Sequence, residues 1–286
     1  MTTNFISKKR FTPPAIILGA ALSVGLLAAC SQHSMHKMNE HHMQGAMNEN
    51  MNNAMSTSME SNIIKEMDIT FTSGKVIEMA YFSLKEGKEA QIQKHYFPKI
   101  MPLMAKYGGK ILGNFEVSTV TGGEISPQMV GIFEWPSLDA QKQLLNDSEA
   151  KKLFPIRDDA LSFIKLAYFT VDKDATVTFK TNKTYEFFNA WLTPAAKTSL
   201  PEYFKRSAEP KTRFGSPKFL VSLKPFEKAP DKNYVLKPQM SGIVEWSNTS
   251  DYYGLIADPV FKKAEPYLKE STSRLDMLHT KVSVSL

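Results

Sequence analysis

The chain has 286 residues, with 35 Lys and Arg, 29 Asp and Glu, and a single cysteine, Cys30. Residues 1–29 hold three basic residues and no acidic one, so the remainder carries a net charge of only +3. This mild balance gives no support for nucleic-acid binding, and one cysteine excludes an intramolecular disulfide. The length allows one or two domains of ordinary size.

Residues 1–29 have the pattern of an export signal. A basic cluster at residues 8–10 precedes an apolar run at residues 15–29 that is short for a bilayer span. The run ends Leu27-Ala28-Ala29-Cys30, which resembles the lipobox of bacterial lipoproteins. The resemblance implies acylation of Cys30 and a lipid-anchored protein of the bacterial cell envelope. Ser31 indicates the outer membrane, facing the periplasm. The alternatives are an ordinary secretory signal or a short anchor helix.

Residues 30–62 form a low-complexity segment that we interpret as a disordered tether, since it has no aromatic or branched aliphatic residue before Ile63. It contains four of the six histidines and seven of the 15 methionines. Thioether and imidazole are soft ligands that suit copper. The alternative is a spacer whose composition is incidental. The candidate copper ligands are His33, Met35, His36, Met38, His41, His42 and Met43.

From residue 63 the sequence becomes typical of a globular protein. Strands are predicted at residues 76–84, 110–121, 128–135 and 163–171, and helices at 88–106 and 138–145. Ser137 is placed to cap the second helix, and Asp147 to cap a short turn that stops before Pro155. The order β-α-β-β-α-β is the ferredoxin-like pattern, and it defines a first repeat at residues 63–173.

Residues 174–286 are predicted to repeat this order, because residues 131–171 recur without a gap as residues 242–282. Both Glu-Trp pairs are identical, and Asn248 and Asp258 take the capping positions of Ser137 and Asp147. Strands are predicted at 183–192, 218–223, 239–246 and 275–284. The helix near residues 200–204 is expected to be short and broken by prolines. The lysine-rich loop at 226–238 is expected to be exposed.

The predicted strands carry apolar residues at both alternating positions, so both faces of each sheet are expected to be buried. A bare apolar sheet face must meet a partner, and the second repeat is present in the same chain. We therefore predict an α+β protein in which two ferredoxin-like repeats pack sheet to sheet. The result is an intramolecular pseudo-dimeric α/β barrel in a monomer with an internal pseudo-twofold axis.

The segment from Gly131 to Ser137, with Asp147 and Arg157 beyond it, resembles a family of domains of unknown function in the dimeric α/β-barrel superfamily. That superfamily includes antibiotic-biosynthesis monooxygenases and haem-degrading enzymes. The resemblance implies the fold and a barrel cleft but no particular reaction. Three residues are candidates to line that cleft: Arg157, Trp246 and His279. Arg157 aligns with Leu268, and His279 with Tyr168, so the repeats differ at these positions.

Three functions are compatible with these patterns. The first is a lipid-anchored envelope protein that binds a small apolar molecule in the cleft, copper on the tether, or both. The second is a cofactor-free monooxygenase or a haem-handling enzyme, with His95, Glu134 and Trp135 lining its site. The third is a protein-interaction module whose barrel is filled by side chains. Glu134 and Glu245 are interpreted as solvated strand ends, and both tryptophans as core or rim residues.

Overall fold

The computed structural model describes residues 65–283. The protein has an α+β fold with eleven strands among these residues. The strands are β1 (Glu66–Phe71), β2 (Val76–Leu84), β3 (Lys110–Gly122), β4 (Met129–Trp135), β5 (Leu161–Thr170), β6 (Ala175–Lys180), β7 (Thr184–Leu192), β8 (Lys218–Pro225), β9 (Val235–Leu236), β10 (Met240–Trp246) and β11 (Thr272–Val282).

Helix α1 comprises three consecutive segments, of which the middle one is a π-helical turn. The segments are Glu89–Gln91, Ile92–Tyr96 and Phe97–Lys106. The other helices are α2 (Leu138–Asn146), α3 (Ser148–Ala160), α4 (Ala196–Arg213), α5 (Thr249–Ala257) and α6 (Glu265–Ser271), with a 3₁₀ turn at Phe261–Lys263.

Eight strands close into a barrel in the order β5-β2-β4-β3-β11-β7-β10-β8, and β8 returns to β5. When the four barrel strands of each half are numbered in chain order, their order across the sheet is fourth, first, third and second. Strand β3 of the first half pairs along β11 of the second. The other seam is shorter, with two residue pairs between β5 and β8, and β9 extends it by pairing in parallel with β5.

The barrel interior is a packed core. Each of the eight strands contributes at least one buried apolar side chain, among them Ile77, Phe115, Ile132, Phe169, Phe187, Leu223, Ile243 and Leu278. A ribbon of β1 and β6 covers one end, and Phe179 of β6 meets Phe115 edge to face at 4.9 Å. Side chains therefore occupy the barrel interior, and the predicted binding of a small apolar molecule in a barrel cleft stays a prediction.

Every residue of β2 and of β4 is buried, because one face of each strand meets the barrel core and the other meets helices. The helix layer of the first half has a large core that includes Phe82, Tyr96, Phe133 and Phe154. The matching layer of the second half is much smaller, with four buried apolar residues: Trp246, Tyr252, Leu255 and Phe261. The two helix layers therefore differ in how completely they are closed.

The predicted caps are present. Ser137 Oγ accepts a hydrogen bond from the Ala140 amide at 3.2 Å, and Asn248 Oδ1 accepts one from Asp251 at 3.0 Å. The predicted helix breaks at proline are wrong. Helix α3 continues through Pro155, and α4 runs unbroken through Pro201 and Pro210. Each proline removes one backbone donor, and tertiary packing of these helices offsets that loss.

Two further features differ from the sequence-based expectation. The ribbon of β1 and β6 was not predicted. The loop at residues 226–238 is not wholly exposed, because Val235 and Leu236 are buried against β5. The charged residues of that loop do face solvent, including Lys228, Asp231 and Lys232.

Candidate functional site

A glutamate occupies the third position of the first barrel strand in each half: Glu78 in β2 and Glu186 in β7. Strand alternation directs both carboxylates away from the barrel core and under the helices. Trp135 contacts Glu78 in the first half, and Trp246 lies beside His279, the partner of Glu186, in the second. Both helix layers therefore hold buried polar groups.

In the first half, Glu78 lies in a hydrogen-bonded network and is fully buried. Trp135 Nε1 donates to Glu78 Oε2 at 3.0 Å. The Gln141 side-chain amide donates to the same oxygen and also to the Tyr168 hydroxyl at 3.0 Å. Burial raises the pKa of Glu78 to about 8, while the bonds from Trp135 and Gln141 and the charge of Arg157 act to lower it. The carboxyl is therefore largely protonated at neutral pH.

Arg157 contributes a fully buried guanidinium to the same layer. It pairs with Asp158 at 2.7 Å and lies over the Phe154 ring at 4.7 Å. The loop at residues 226–238 covers this layer, since the Leu166 amide donates to the Tyr234 carbonyl and Val235 joins the layer's core. The first half is thus closed by its partner half.

In the second half, His279 of β11 is fully buried beside Glu186. Its Nε2 lies 3.2 Å from Glu186 Oε2. Tyr252 of α5 packs edge-on against the imidazole, with ring centroids 4.6 Å apart. The centroid of the Trp246 ring lies 6.1 Å from that of the imidazole. Tyr252 also meets Trp246 edge to face at 5.5 Å. An imidazole oriented by a carboxylate therefore lies within an aromatic enclosure.

Two buried polar atoms of this enclosure, His279 Nδ1 and Trp246 Nε1, have no hydrogen-bond partner among residues 65–283. A carboxylate only accepts hydrogen bonds, so in the neutral imidazole the bond to Glu186 places the proton on Nε2 and leaves Nδ1 as an acceptor. The indole Nε1 can only donate. One acceptor and one donor are thus buried near each other, and a buried unsatisfied polar group costs about 1–3 kcal/mol.

The second layer is also more exposed at its edge. Phe219, Phe204 and Tyr253 are 58%, 51% and 49% exposed. Phe219 lies on β8 and packs against Phe188 of β7, with ring centroids 6.1 Å apart. The hairpin of the first half that reaches toward this layer is short, since β3 ends at Gly122 and β4 begins at Met129. It has no counterpart to the 226–238 loop.

The structure disperses the residues of the predicted oxygenase site. His95 is exposed on α1, while Trp135 is buried under the helices. Glu134 is also buried, which corrects its interpretation as a solvated strand end. It faces the ribbon end of the barrel and pairs with Lys110 at 3.0 Å. Glu245 is partly buried. An exposed His95 does not fit an enclosed haem ligand, so we derive no step through haem.

The three predicted cleft residues lie in the helix layers and not in the barrel lumen. Arg157 belongs to the first layer, whereas Trp246 and His279 meet in the second. The sequence interpretation missed Glu78, Gln141, Glu186 and Tyr252. A signal was present for the glutamates, since Glu78 and Glu186 match at an offset of 108 residues, but the gapless offset of 111 hides that match.

The end of the barrel away from the ribbon carries a groove of about 380 Å³. Its charged side chains are already engaged: Arg274 pairs with Asp276 at 2.7 Å and Glu124 at 2.6 Å, and Lys237 pairs with Asp231 at 2.8 Å. Arg157, Trp246 and His279 do not line it.

Cys30 and the predicted copper ligands lie outside the described residues. Within residues 65–283, no group of three or more His, Cys, Asp or Glu side chains is arranged to hold a metal ion. In that same range, no helix is long and apolar enough to cross a membrane.

The chain matches no protein-family model and no curated protein. Several solved structures are similar to it over about three quarters of its length. A candidate monooxygenase from Lactobacillus acidophilus shares 10% identity at a TM-score of 0.37, covering 73% of this chain and 94% of its own. A candidate monooxygenase from Fusobacterium nucleatum shares 15% identity at a TM-score of 0.41 and covers 74% of this chain and 93% of its own.

A chlorite dismutase from Candidatus Nitrospira defluvii, solved with imidazole, shares 7% identity at a TM-score of 0.44 and covers 73% of this chain and 91% of its own.

Proposed function

We propose that the second helix layer binds a small hydroxyaromatic molecule and removes the proton of its hydroxyl group. The observation that carries this proposal is the pair of buried atoms, His279 Nδ1 and Trp246 Nε1, that lack a partner within the described part of the chain. A phenolic hydroxyl can donate to the first and accept from the second, so it meets both requirements.

The arrangement also supports proton transfer. Glu186 holds the imidazole in one tautomer through Nε2 and stabilises the imidazolium that forms when Nδ1 takes a proton. The rings of Tyr252, Trp246 and Phe261 favour a planar aromatic ligand. Burial raises the pKa of Tyr252 to about 12, so its hydroxyl stays protonated and does not compete as a base.

The first layer does not offer the same chemistry. Tyr168 stands where the second half has His279, and Gln141 where it has Tyr252. Glu78 accepts from Trp135 and Gln141, so the indole donor is already used. We therefore propose one functional layer per chain.

Binding of 4-ethylphenol and its methyl ether, 4-ethylanisole, measured by calorimetry tests the proposal. We expect the phenol to bind at least about tenfold more tightly, since the ether can still accept from Trp246 but cannot donate to the buried His279 Nδ1. His279→Tyr introduces the residue of the first half and should remove this preference. Tyr168→Phe is the matched control and should retain it. Equal affinity of the wild type for both compounds would exclude the proposal.

A second candidate function, cofactor-free oxidation of a quinol, is favoured by the same Glu186–His279 pair. A deprotonated quinol gives up electrons more readily than a neutral one. Hydroquinone and dioxygen would yield benzoquinone and hydrogen peroxide, with two electrons and two protons passing to dioxygen. Oxygen consumption with hydroquinone tests this activity. A rate in the wild type no higher than in His279→Tyr would rule it out while leaving the binding proposal intact.

We further propose that acylated Cys30 anchors the chain to the bacterial envelope, and that the Met/His segment binds copper. The lipobox-like Leu27-Ala28-Ala29-Cys30 and the soft ligands of residues 31–62 support these proposals. Radiolabelled palmitate should be incorporated into the wild-type protein but not into Cys30→Ala. A peptide of residues 31–62 should bind Cu(I) more tightly than one with its methionines replaced by leucine.

The shared strand order supports an origin of the two halves by duplication.

A further inference from the structure

Lys211 of α4 is a partly buried lysine at the edge of the second helix layer. Its Nζ lies 4.9 Å from the centroid of the Tyr203 ring and 5.6 Å from that of Phe204. No carboxylate of residues 65–283 comes within ion-pair distance of it. The amine therefore holds its charge over aromatic faces, with its capacity to donate three hydrogen bonds unused among the described residues.

The lysine adjoins the proposed site. Tyr203, whose ring it covers, packs edge to face on Phe261 at 6.3 Å, and Phe261 shares a core cluster with Trp246 and Tyr252. Burial lowers the pKa of Lys211, and the Glu186 carboxylate acts to raise it, so the amine senses the charge at the site.

The nearby carboxylates are engaged elsewhere. Glu186 accepts from His279, and Glu265 lies 3.8 Å from Lys269. The amine of Lys211 is thus a positive group of this layer with neither an acidic partner nor a hydrogen-bond acceptor among residues 65–283.

The first half differs at this position. Aligning Tyr96 with Tyr203 places Met104 at the position of Lys211, and Met104 is buried in the first layer's core. A side chain of similar length can fill this position without a charge. The fold therefore does not need a lysine there, and its presence in one half requires another explanation.

We infer that Lys211 binds an anionic group of the ligand, so that the second layer takes a hydroxyaromatic carboxylate. This inference rests on the proposed function: the hydroxyl meets His279 and Trp246, and the carboxylate meets Lys211. The charge-assisted bond forms at a partly buried site, where it is stronger than on the open surface.

Four probes separate the two ideas: 4-hydroxyphenylacetate, its methyl ester, 4-methoxyphenylacetate and 4-ethylphenol. In the wild type we expect the acid to bind about tenfold more tightly than its ester. Lys211→Met, which installs the residue of the first half, should abolish that preference but keep the preference for hydroxyl over methoxy. Lys205→Met removes an exposed lysine of the same helix and should change neither.

The outcomes distinguish a failure of the role of Lys211 from a failure of the proposed function. Equal binding of acid and ester, with hydroxyl still favoured over methoxy, overturns the role of Lys211 and leaves the proposed function standing. Loss of the acid preference in Lys205→Met as well as Lys211→Met would indicate a general charge effect and also overturn it. No binding of any hydroxyl probe refutes the proposed function itself.

Discussion

Glu78 and Glu186 occupy the same position in the first barrel strand of the two halves, yet their partners are unlike. Glu78 accepts hydrogen bonds from Trp135 and Gln141 in a closed layer. Glu186 instead orients His279 in a more open one. The cations differ as well, since Arg157 of α3 lies in the first layer and Lys211 of α4 at the second. One buried carboxylate therefore accepts from an indole and an amide, whereas the other holds an imidazole.

The first prediction concerns the pH dependence of stability. The pKa of Glu78 is about 8 in the folded protein, against an ordinary value of 4.5. The folded state therefore binds the proton more tightly, and this contribution to stability is fully present below pH 4.5 and lost as the pH rises through 8. The free energy of unfolding, measured in urea between pH 5 and 9, should decline. Glu78→Gln should flatten this decline.

Trp135→Phe provides the companion test. It removes an indole donor that lowers the pKa of Glu78, so the decline should extend to higher pH. It should also reduce stability at every pH, because a smaller ring leaves a cavity. A decline at unchanged pH in both variants would assign the titration to another group.

The second prediction concerns the centre of the barrel. Asn189 of β7 donates to the Tyr81 hydroxyl of β2 at 2.9 Å, and Ser241 donates to Asn189 Oδ1 at 2.9 Å. Tyr81→Phe leaves the buried Asn189 amide without its acceptor and should cost about 1–3 kcal/mol. In a double-mutant cycle with Asn189→Ala, the two changes should couple by about 0.5–3 kcal/mol. Strict additivity would show that the bond contributes nothing to joining the halves.

The sequence predicted most of the barrel because each strand carries its own signal. Val76–Leu84 has apolar residues on both faces, and glycine or proline bounds several strands. The two ribbon strands were not predicted because β1 and β6 are short and polar on one face, and they pair across more than 100 residues. The prolines of α3 and α4 were misleading, since their cost is local whereas the packing that offsets it is not.

The candidate site was harder to predict than the fold. His279 and Trp246 were singled out, but their meeting depends on strand register and helix packing. Glu186 lies within an apolar strand, where a single glutamate gives no sign of whether it is buried. Neither the closure of the first layer by the 226–238 loop nor the openness of the second can be derived from spacing, because both depend on contacts between halves.

The third prediction concerns the helix caps. Ser137→Ala and Asn248→Ala each remove a side-chain acceptor from a helix N-terminus. Each should reduce the free energy of unfolding by about 1 kcal/mol, measured by urea denaturation. Ser137→Asn and Asn248→Ser exchange the capping residues of the two halves and should be nearly neutral. If Ser137→Asn and Asn248→Ser lost as much unfolding free energy as the alanine variants, packing of these side chains, and not capping, would stabilise the helices.

The last prediction concerns the wall of the proposed site. The Tyr252 ring contacts both His279 and Trp246, and its hydroxyl stays protonated because burial raises its pKa to about 12. If the ring encloses the ligand, Tyr252→Phe should bind 4-ethylphenol within about twofold of the wild type. Tyr252→Ala should weaken binding about tenfold, since an aromatic contact is worth about 0.5–1.5 kcal/mol beyond its buried area. Thermal unfolding measured alongside separates weakened binding from partial unfolding. A large loss in Tyr252→Phe would instead mean that the hydroxyl binds the ligand directly, and the donor assigned to Trp246 would then belong to Tyr252.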